Sequence, residues 1–458
     1  MKRKDFISTI ITSTLGANVL PNIMSCSPSQ EKIKGLKNWA GNYVYKAEET
    51  KFVTSVDEMK NVLSGLKKAK ALGTQHCFNN IADTAGTQLC TQKLNQIIEL
   101  NTEDKSVLVG AGIKYGTLGK YLDEKGWALH NLASLPHISV GGSCATATHG
   151  SGISNGNLAS AIRGFELMTV DGQLQWVDPK TNSDLFYAGC VSMGALGFMT
   201  KIKLAIQPSF NVEQRVYENL PMEGLKDNFD TIMSAGYSVS FFTHWLNKTI
   251  DQVWIKSKVD AGNTFSNDFY GATPAKADLH PIKVNSPINC TPQMGVPGPW
   301  HERLPHFRMD FTPSNGDELQ SEFFVPRDQA YQAFMAVEKL HKKITPILYV
   351  TEVRCIASDD FWMSTAYQRE SVAIHFTWKP MAKEVMAVLP EIEEALKPFG
   401  VRPHWGKIFT LSADYLRSQY VNYEAFLNLK EKLDPKNVLT NDYLKKSFYQ
   451  KRKSVKKN

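Results

Sequence analysis

The sequence of 458 residues lacks the features that define several large classes of protein. It has no run of 18 or more uncharged apolar residues, which excludes a protein that crosses a membrane several times. Its seven cysteines include no CxxC pair, so a disulfide-dense scaffold is excluded as well. The motifs GxGxxG, Walker A and HExxH are missing, which argues against a Rossmann dinucleotide fold, a P-loop enzyme and a zinc protease. We therefore expect no catalytic metal.

The net charge of +7 is concentrated at the C-terminus. The last 14 residues contain no acidic residue and carry seven basic ones, namely Lys445, Lys446, Lys451, Arg452, Lys453, Lys456 and Lys457. Without these seven, the chain has 45 basic and 45 acidic residues, so its body has no global charge that would attract a polyanion. We predict a solvated, disordered tail and no nucleic-acid partner, with a surface or polyanion contact of the tail as the alternative.

The N-terminal residues have the composition of an export signal. A basic start, Met1 to Phe6, precedes a weakly apolar run from Ile7 to Leu20 that is short for a spanning helix. Arg3-Lys4 resembles a twin-arginine signal in which lysine replaces the second arginine. The sequence Ile-Met-Ser-Cys, which ends at Cys26, resembles a lipoprotein cleavage box. We expect an exported protein, periplasmic or membrane-anchored through a lipid at Cys26, with a plain cleaved signal as the alternative.

Helix and strand patterns are mixed along the rest of the chain. Ser55 and Glu58 form a capping-box pattern, and the apolar residues around it recur at helical spacing. Strands are predicted over 69–72, 106–109, 164–170, 173–177, 350–355 and 372–378. After Gln207-Pro208 the pattern of helix and strand signals in the sequence changes, so we predict an α+β protein in two parts. The predicted segments are an export signal and linker over 1–35, one domain over 36–208, a second over 209–416, a C-terminal return to the first over 417–444, and a tail over 445–458.

Three glycine-rich loops follow apolar strands. They are Gly73 to His76, Gly110 to Gly112 and the run from Ile138 to Gly152. Glycine lets backbone N–H groups approach a phosphate closely, and it tolerates positive φ angles. Each loop alone is typical of an ordinary turn. Three of them with small hydroxyl residues interleaved favour a phosphate-bearing ligand such as a dinucleotide.

Two of these loops carry a resemblance to a known family. The block ALGTQHCFN runs from Ala71 to Asn79, and the stretch from Leu135 to Gly152 contains LPHISV and ATATHGSG. Both resemble the vanillyl-alcohol-oxidase-type flavoproteins, and within them the aldonolactone oxidase and alditol oxidase group. The blocks GVPGPWHERLPHF, from Gly295 to Phe307, and RPHWGK, from Arg402 to Lys407, fit the alditol oxidase branch best. The resemblance implies a two-part FAD-binding domain of this type and a substrate domain with a large antiparallel sheet.

The resemblance also implies which residues hold FAD. The histidine that binds the flavin covalently falls on His76, and His149, in a similar loop, is the competing candidate. A neutral imidazole nitrogen can attack the 8-methyl group of the isoalloxazine ring. The other implied cofactor contacts are Ala71, Leu72, Gly73, Thr74, Gln75, Cys77, Ser134, Ser139, Gly142, Thr146, Ala147, Thr148, His149 and Lys407.

A second set of polar residues lies in the later strands. Glu352 and Arg354 are separated by one residue, so a strand places both side chains on the same face of its sheet. From the residues alone, an exposed ion pair is the simpler interpretation. The resemblance places polyol-binding residues at Ser134, Gln320, Glu352, Arg354, Thr377 and Lys407. Such a set would satisfy the row of hydroxyls on an acyclic sugar alcohol.

The resemblance therefore implies an FAD-dependent oxidase of alditols such as xylitol or sorbitol. Glu352 would accept a hydrogen bond from a substrate hydroxyl, while Arg354 and Lys407 stabilise the alkoxide that develops as hydride leaves C1 for flavin N5. Lys407 is also the candidate proton acceptor, for which it must first be neutral. The electrons would then pass to O₂ and give H₂O₂. An aldonolactone oxidase or dehydrogenase and a non-catalytic extracytoplasmic sugar-binding protein are the alternatives.

Overall fold

The computed structural model describes residues 33–262, 265–310 and 318–449. The predicted export signal up to residue 32, including Cys26, and the chain from residue 450 onward lie outside the described residues. Within the described ranges, no helix is both long enough and apolar enough to span a membrane. Strands and helices are mixed along the chain, which confirms the α+β class.

Two sheets form in the first half of the described chain. Its strands are β1 (Glu49–Phe52), β2 (Ala69–Leu72), β3 (Thr87–Cys90), β4 (Ile97–Asn101), β5 (Ser106–Gly110), β6 (Trp127–Ala128), β7 (Ile162–Met168), β8 (Leu174–Val177), β9 (Phe198–Ala205) and β10 (Gln207–Pro208). A parallel sheet has the order β1-β3-β2, and an antiparallel sheet has the order β4-β5-β9-β7-β8. The short strands β6 and β10 pair with each other. The strands predicted in this half are all present, with ends shifted by up to two residues.

The helices of this half fill the spaces between the sheets. They are α1 (Val56–Leu63), α2 (Tyr115–Glu124), α3 (Val140–Cys144) and α4 (Ser183–Gly189). The predicted start of α1 is confirmed, because the Ser55 side chain accepts a hydrogen bond from the Glu58 backbone N–H at 3.1 Å. Met59 and Leu63 of α1 are buried in an apolar cluster with strand residues of the parallel sheet. The six cysteines of the described chain are free thiols, and five of them are buried.

A nine-stranded sheet dominates the second half. Its strands are β11 (Asn211–Pro221), β12 (Ser238–Thr243), β13 (Thr249–Lys258), β14 (Thr273–Pro274), β15 (Gly298–Pro299), β16 (Leu319–Pro326), β17 (Leu348–Ile356), β18 (Ser371–Trp378) and β19 (Arg402–Pro403). The order is β14-β11-β13-β12-β17-β18-β16-β19, with β15 paired to β11, and every pairing is antiparallel. This is the large antiparallel sheet that the sequence predicts.

The two faces of this sheet differ in chemistry. On β17, Val353 and Cys355 belong to the main apolar cluster, whereas Glu352 and Arg354 point to the opposite face because strand residues alternate. The apolar face is covered by helices α5 (Leu225–Met233), α7 (Ala330–Glu338) and α9 (Ala382–Leu396), and the shorter helices α6 (Trp300–Arg303) and α8 (His341–Ile344) lie in the connections. The polar face is therefore free to form a wall of the site described below.

The C-terminal helices bring the chain back to the first half. They are α10 (Ala413–Gln419), α11 (Tyr423–Leu433), α12 (Asp442–Leu444) and a π-helical turn over Lys445–Tyr449. The Ala69 N–H donates to the Val438 carbonyl at 3.0 Å, and the Asn441 amide donates to the Asp83 carbonyl at 2.8 Å. Phe448 is buried, so the solvated tail that we predicted from Lys445 begins no earlier than residue 450. The predicted domain boundaries remain predictions.

Candidate active site

A cavity of about 320 Å³ lies between the glycine-rich loops and the polar face of the nine-stranded sheet. The predicted cofactor residues that line it are Ala71, Leu72, Gly73, Thr74, Gln75, His76, Cys77, Ser134, Gly142, Thr146, Thr148, His149 and Lys407. The predicted substrate residues Ser134, Gln320, Glu352, Arg354, Thr377 and Lys407 line the same cavity. Side chains that are up to 336 positions apart in the sequence are thus brought together in one space.

Two of the predicted cofactor residues do not lie on the cavity wall. The Ser139 hydroxyl lies behind Gly73 and Gly142, where a Cβ atom added to either glycine would approach its oxygen within 2.9 and 3.1 Å. Its backbone N–H donates to the Thr74 hydroxyl at 3.2 Å, so Ser139 joins two loops and stands outside the cavity. Ala147 is fully buried in a left-handed turn with a φ of 55°. Both residues support the cavity wall without lining it. The sequence motif alone does not show this, whereas the folded structure does.

The ring of His76 lies buried on this wall. Neither ring nitrogen has a hydrogen-bond partner of normal geometry among the described residues, although the Thr74 backbone is near enough to act on the ring. The Trp39 indole stacks on the imidazole, and burial together with nearby His137 lowers the pKa of His76 to about 4. The imidazole is therefore neutral at physiological pH. His149 differs, because its Nδ1 lies 2.7 Å from the Gly150 carbonyl and its Nε2 lies 3.1 Å from the Glu322 carboxylate.

The register of the sheet aligns polar side chains of three neighbouring strands. Glu352 of β17 faces His375 of β18, and His375 faces Glu322 of β16. One step along, Gln320 of β16 faces Thr377 of β18. Sequence analysis found Gln320, Glu352 and Thr377 but missed Glu322 and His375. The signal was available, since each missed residue stands two positions from a predicted one and so shares its face.

Arg354 lies between two buried carboxylates. One of its Nη atoms is 2.7 Å from Glu322, and its Nε is 3.6 Å from Glu352, which also lies 2.7 Å from His306. Burial is the largest influence and would raise the pKa of both carboxyl groups, but Arg354 and the neighbouring histidines together outweigh it and hold both pKa values well below their usual range. Burial would likewise lower the pKa of Arg354, and the two carboxylates raise it instead. The exposed ion pair considered from the sequence is therefore a buried network of fixed charges. His306 was not among the predicted site residues.

Lys407 ends a hydrogen-bonded chain in the same wall. Its ammonium donates to the Gln320 side-chain oxygen, and the Gln320 amide donates to the Glu318 carboxylate at 2.5 Å. Lys407 also lies 3.3 Å from Nε2 of His375. Burial lowers the pKa of Lys407 below that of an ordinary lysine, which favours the neutral amine. Burial and Lys407 lower the pKa of His375 to about 3, so this imidazole stays neutral and accepts the bond.

The segment that carries Lys407 is tied directly to the loop that carries His76. The Asn79 amide donates to the carbonyls of Trp405 and Lys407 at 2.8 and 2.7 Å. The Phe78 N–H donates to the Gly406 carbonyl at 2.8 Å. These three bonds hold the two walls of the cavity at a fixed separation.

A further part of the wall was not predicted at all. The loop that includes Ser192, Met193, Gly194 and Gly197 lines the cavity, with φ angles of 54° at Met193 and 62° at Gly194. Buried Lys70 donates to the Gly194 carbonyl at 3.1 Å, and burial lowers the pKa of Lys70 to about 7. This loop contains glycines, as do the three glycine-rich loops that the sequence analysis identified, but its sequence has no distinct phosphate-binding pattern. The described residues contain no cluster of three or more metal-ligating side chains.

Comparison with known proteins identifies the family. A family described as the FAD binding domain matches residues 50–178, and one described as D-arabinono-1,4-lactone oxidase matches residues 315–447. An alditol oxidase from Streptomyces sp. is 43% identical over 411 residues, which cover 89% of this chain and 97% of that protein. This chain belongs to the alditol oxidase family. It is an FAD-dependent oxidoreductase, and the resemblance to the vanillyl-alcohol-oxidase-type flavoproteins is confirmed.

More distant relatives of this alditol oxidase family member extend the comparison. An L-gulonolactone oxidase from Mus musculus is 27% identical over 437 residues, which cover 90% of this chain and 98% of that protein. The structure of a cholesterol oxidase from B. sterolicum superposes with a TM-score of 0.74 at 13% identity, covering 94% of this chain and all of that one. At that identity the likeness concerns the fold, which is the two-part FAD-binding fold with a large antiparallel sheet.

The cavity of this family member suits a flavin dinucleotide. Gly73 and Gly142 both line the cavity and have no side chain that would cover their backbone, so a ligand can reach backbone groups there. The unpartnered nitrogens of His76 lie on the same wall, as does the amine of Lys70. These are the donors and the steric room that a pyrophosphate and an attached flavin ring require.

Proposed function

We propose that the protein oxidises the C1 hydroxyl of acyclic alditols such as xylitol or sorbitol to the aldose, with O₂ as electron acceptor and H₂O₂ as second product. One observation carries this proposal: a row of charged and neutral hydrogen-bonding side chains on the sheet face, opposite the His76 wall of one cavity. The Streptomyces relative, which is 43% identical, is named an alditol oxidase. The assignment to this chain rests on both.

The wall residues match the needs of a polyhydroxylated chain. The Glu352 carboxylate stays ionised and accepts hydrogen bonds, while Arg354 donates them, and its Nη1 also reaches the Ser134 hydroxyl at 3.3 Å. Thr377 offers a hydroxyl that can both donate and accept. A substrate lacking the matching hydroxyl would leave these buried groups unpaired, which costs binding energy and gives specificity for polyols.

The chemical step needs a place for the proton and for developing negative charge. The Arg354 guanidinium, fixed between Glu322 and Glu352, would stabilise an alkoxide at the reacting oxygen. Lys407 would accept the hydroxyl proton once it has lost its own; burial lowers its pKa and so eases that loss, and its chain of partners orients it. FAD, when bound, supplies the two-electron acceptor that these amino acids lack and passes the electrons to O₂.

We propose further that FAD is attached covalently through His76. The proposal is supported by the free, buried nitrogens of this imidazole and by its neutral state, which leaves a lone pair for bond formation. His149 is the weaker candidate because both its ring nitrogens already contact protein oxygens. The remaining residues of the Gly73 and Gly142 loops would hold the dinucleotide through backbone N–H groups.

A second candidate function is oxidation of a cyclic aldonolactone. It is favoured by the D-arabinono-1,4-lactone oxidase family match, whose residues 315–447 include most of the predicted substrate residues. The alditol is preferred because the relative named for it is more similar, at 43% identity against 27% for the L-gulonolactone oxidase.

Anaerobic mixing separates the two candidates. The purified, flavin-loaded protein is mixed in turn with xylitol, sorbitol and a 1,4-lactone while the visible flavin absorption is followed, and air is then admitted. Bleaching by the alditols with recovery in air is the expected result. Bleaching by the lactone alone would transfer the protein to the lactone branch, and no bleaching by any of the three would overturn both assignments.

We also propose that the protein is exported and anchored through a lipid at Cys26. The basic start at Met1 to Phe6 and the cysteine after Ile-Met-Ser support this. Metabolic labelling with a fatty acid, compared between the native chain and Cys26→Ser, tests it directly. Equal labelling of the two chains would refute a lipid at Cys26.

A further inference from the structure

His306 lies between two groups that the proposed function assigns to substrate. Its Nε2 lies 2.7 Å from Oε1 of Glu352, and its backbone N–H donates to the Ser134 carbonyl at 3.2 Å. The side chain is buried, and it lines the cavity that contains both partners. A single residue therefore contacts Glu352 on strand β17 and Ser134 on the cofactor side of the cavity.

The segment that carries His306, residues 304–307, is itself rigidly held. The buried Lys256 ammonium donates to the carbonyls of Leu304 and Pro305 at 2.6 and 2.8 Å. The Thr291 N–H donates to the His306 carbonyl at 2.9 Å. These bonds fix the backbone of this segment, and so the position from which the His306 side chain extends.

Two aromatic rings fix the orientation of the imidazole. Phe242 and Trp254 meet it edge-on, with ring centroids 5.5 and 5.2 Å away. The two rings therefore limit the orientations that the imidazole can adopt. The direction in which Nε2 points is thus determined by packing.

We propose that His306 is a positioning residue. It fixes the positions of the Glu352 carboxylate and of the Ser134 backbone, and thereby the distance between two groups that face the substrate. The proposal rests on the proposed function, because it is through substrate that the spacing of these groups has its effect. It accounts for the LPHF part of the Gly295 to Phe307 block, to which no role in the site was otherwise given.

The protonation states agree with this role. Burial and the nearby Lys256 charge lower the pKa of His306 to about 4, so the ring is neutral and carries one N–H. That N–H belongs on Nε2, because the Glu352 carboxylate can only accept. The charged and titratable groups around Glu352 are Arg354, His306, His375, Glu322, Lys256 and Lys407. Among these, His306 makes the shortest contact with Glu352.

Two substitutions separate positioning from packing. His306→Gln keeps an N–H donor near the place of Nε2 but removes the aromatic ring, whereas His306→Phe keeps the ring between Phe242 and Trp254 but removes the donor. A positioning role predicts that the Gln variant retains KM for xylitol within about threefold, and that the Phe variant raises KM by about tenfold or more. His301→Gln is the matched control and should behave as the native protein, because His301 lies on the same block but its Nε2 faces Asp123, 3.6 Å away.

The pH profile and the structure of the variants provide readouts that do not depend on folding energy. Without His306, the pKa of Glu352 moves up toward its usual value, so KM of the Phe variant should rise as the pH is lowered, while the profile of the Gln variant follows the native one. Crystal structures should show the Glu352 carboxylate displaced in the Phe variant and in place in the Gln variant. If the Phe variant fails to fold, His306→Asn, which is too short to reach Glu352, replaces it.

The outcomes are distinct for the two proposals. A Phe variant with native KM and an unmoved Glu352 would overturn the positioning role, and so would a Gln variant as impaired as the Phe variant. If the native protein itself is not reduced by any alditol, the proposed function falls. In that case the position of Glu352 in the variant structures still decides whether His306 places it.

Discussion

The Trp39 indole and the His76 imidazole lie nearly parallel, with ring centroids 5.3 Å apart and planes inclined by 18°. The Trp39 backbone N–H also donates to the Gln75 carbonyl at 2.8 Å, which ties the chain at Trp39 to the loop that carries His76. Because His76 has no hydrogen bond to the described protein, this stacking is its main orienting contact. The geometry of the proposed flavin linkage therefore depends on a residue that the sequence motifs did not include.

Replacing Trp39 should reduce the proposed covalent attachment. We expect Trp39→Leu to lower the fraction of flavin that stays with acid-precipitated protein, because an unstacked imidazole samples other orientations. Trp39→Phe keeps a ring in place and should retain most of it. Fluorescence of the precipitated protein measures the fraction, and an undiminished value for the Leu variant would refute the orienting role.

His76 itself provides the direct test of attachment. His76→Ala should leave any bound flavin extractable by acid, since the substitution removes the nitrogen that is proposed to carry it. His149→Asn is the control and should keep its flavin in the precipitate. Flavin that remains with precipitated His76→Ala protein would reject the assignment.

Arg354 should matter for both turnover and stability. Its removal in Arg354→Met leaves two buried carboxylates, Glu322 and Glu352, without their main counter-charge. Loss of one partner of a buried ion pair costs about 3–5 kcal/mol of stability. We expect the turnover of alditols by Arg354→Met to fall by about a hundredfold or more. The turnover of Arg354→Lys should lie between those of the native protein and the Met variant. Steady-state kinetics and urea unfolding measure the two effects, and native turnover of the Met variant would remove Arg354 from the site.

The pH profile of turnover should have an acidic limb that is set by the protonation of Lys407. Below its pKa the side chain is protonated and cannot accept the hydroxyl proton, so kcat should rise with pH as the ammonium loses its proton. Burial lowers this pKa, which moves the limb below the range of an ordinary lysine. Lys407→Arg stays charged and should be slow at every pH. A native-like limb in that variant would assign the limb to another group.

Gly112 should be intolerant of any side chain. A Cβ at this position would lie 1.9 Å from the Thr91 carbonyl oxygen, which is backbone and cannot move aside. We expect Gly112→Ala to lower the free energy of unfolding by about 2–3 kcal/mol. Gly224→Ala is the control, since its nearest neighbour would be the Tyr270 carbonyl at an ordinary 3.6 Å. Chemical denaturation of both variants measures the difference, and equal stabilities would contradict the steric argument.

The sequence was sufficient for the α+β class and for several of the strands, and the family resemblance supplied part of the cavity wall. Alternation along one strand correctly placed Glu352 and Arg354 on a common face, because the period of a strand is a local property. Glu322 and His375 could have been placed on the same face by this alternation, but which of these side chains meet depends on the register between strands. His306 lies outside a strand, in the 304–307 segment, whose position is set by tertiary packing.

The predicted start of the tail rested on charge alone. The tail was predicted from Lys445 because the charge pattern suggests solvation, whereas Lys445–Tyr449 form a π-helical turn in which buried Phe448 stacks against Trp405. Ser139 and Ala147 stay predicted cofactor residues, and their motif block does not by itself show which of its residues line the cavity.

The bonds from Asn79 and Phe78 to residues 405–407 limit how this protein can recombine with its relatives. Any single crossover between residues 80 and 404 would take these two segments from different parents, and their backbones would then have to match at hydrogen-bond distance. A chimera that exchanges only the strands between the two segments keeps the parental pairing intact. Diversification of substrate range in this family is therefore expected to proceed by point changes on the sheet face or by such internal exchanges, in preference to the swapping of whole halves.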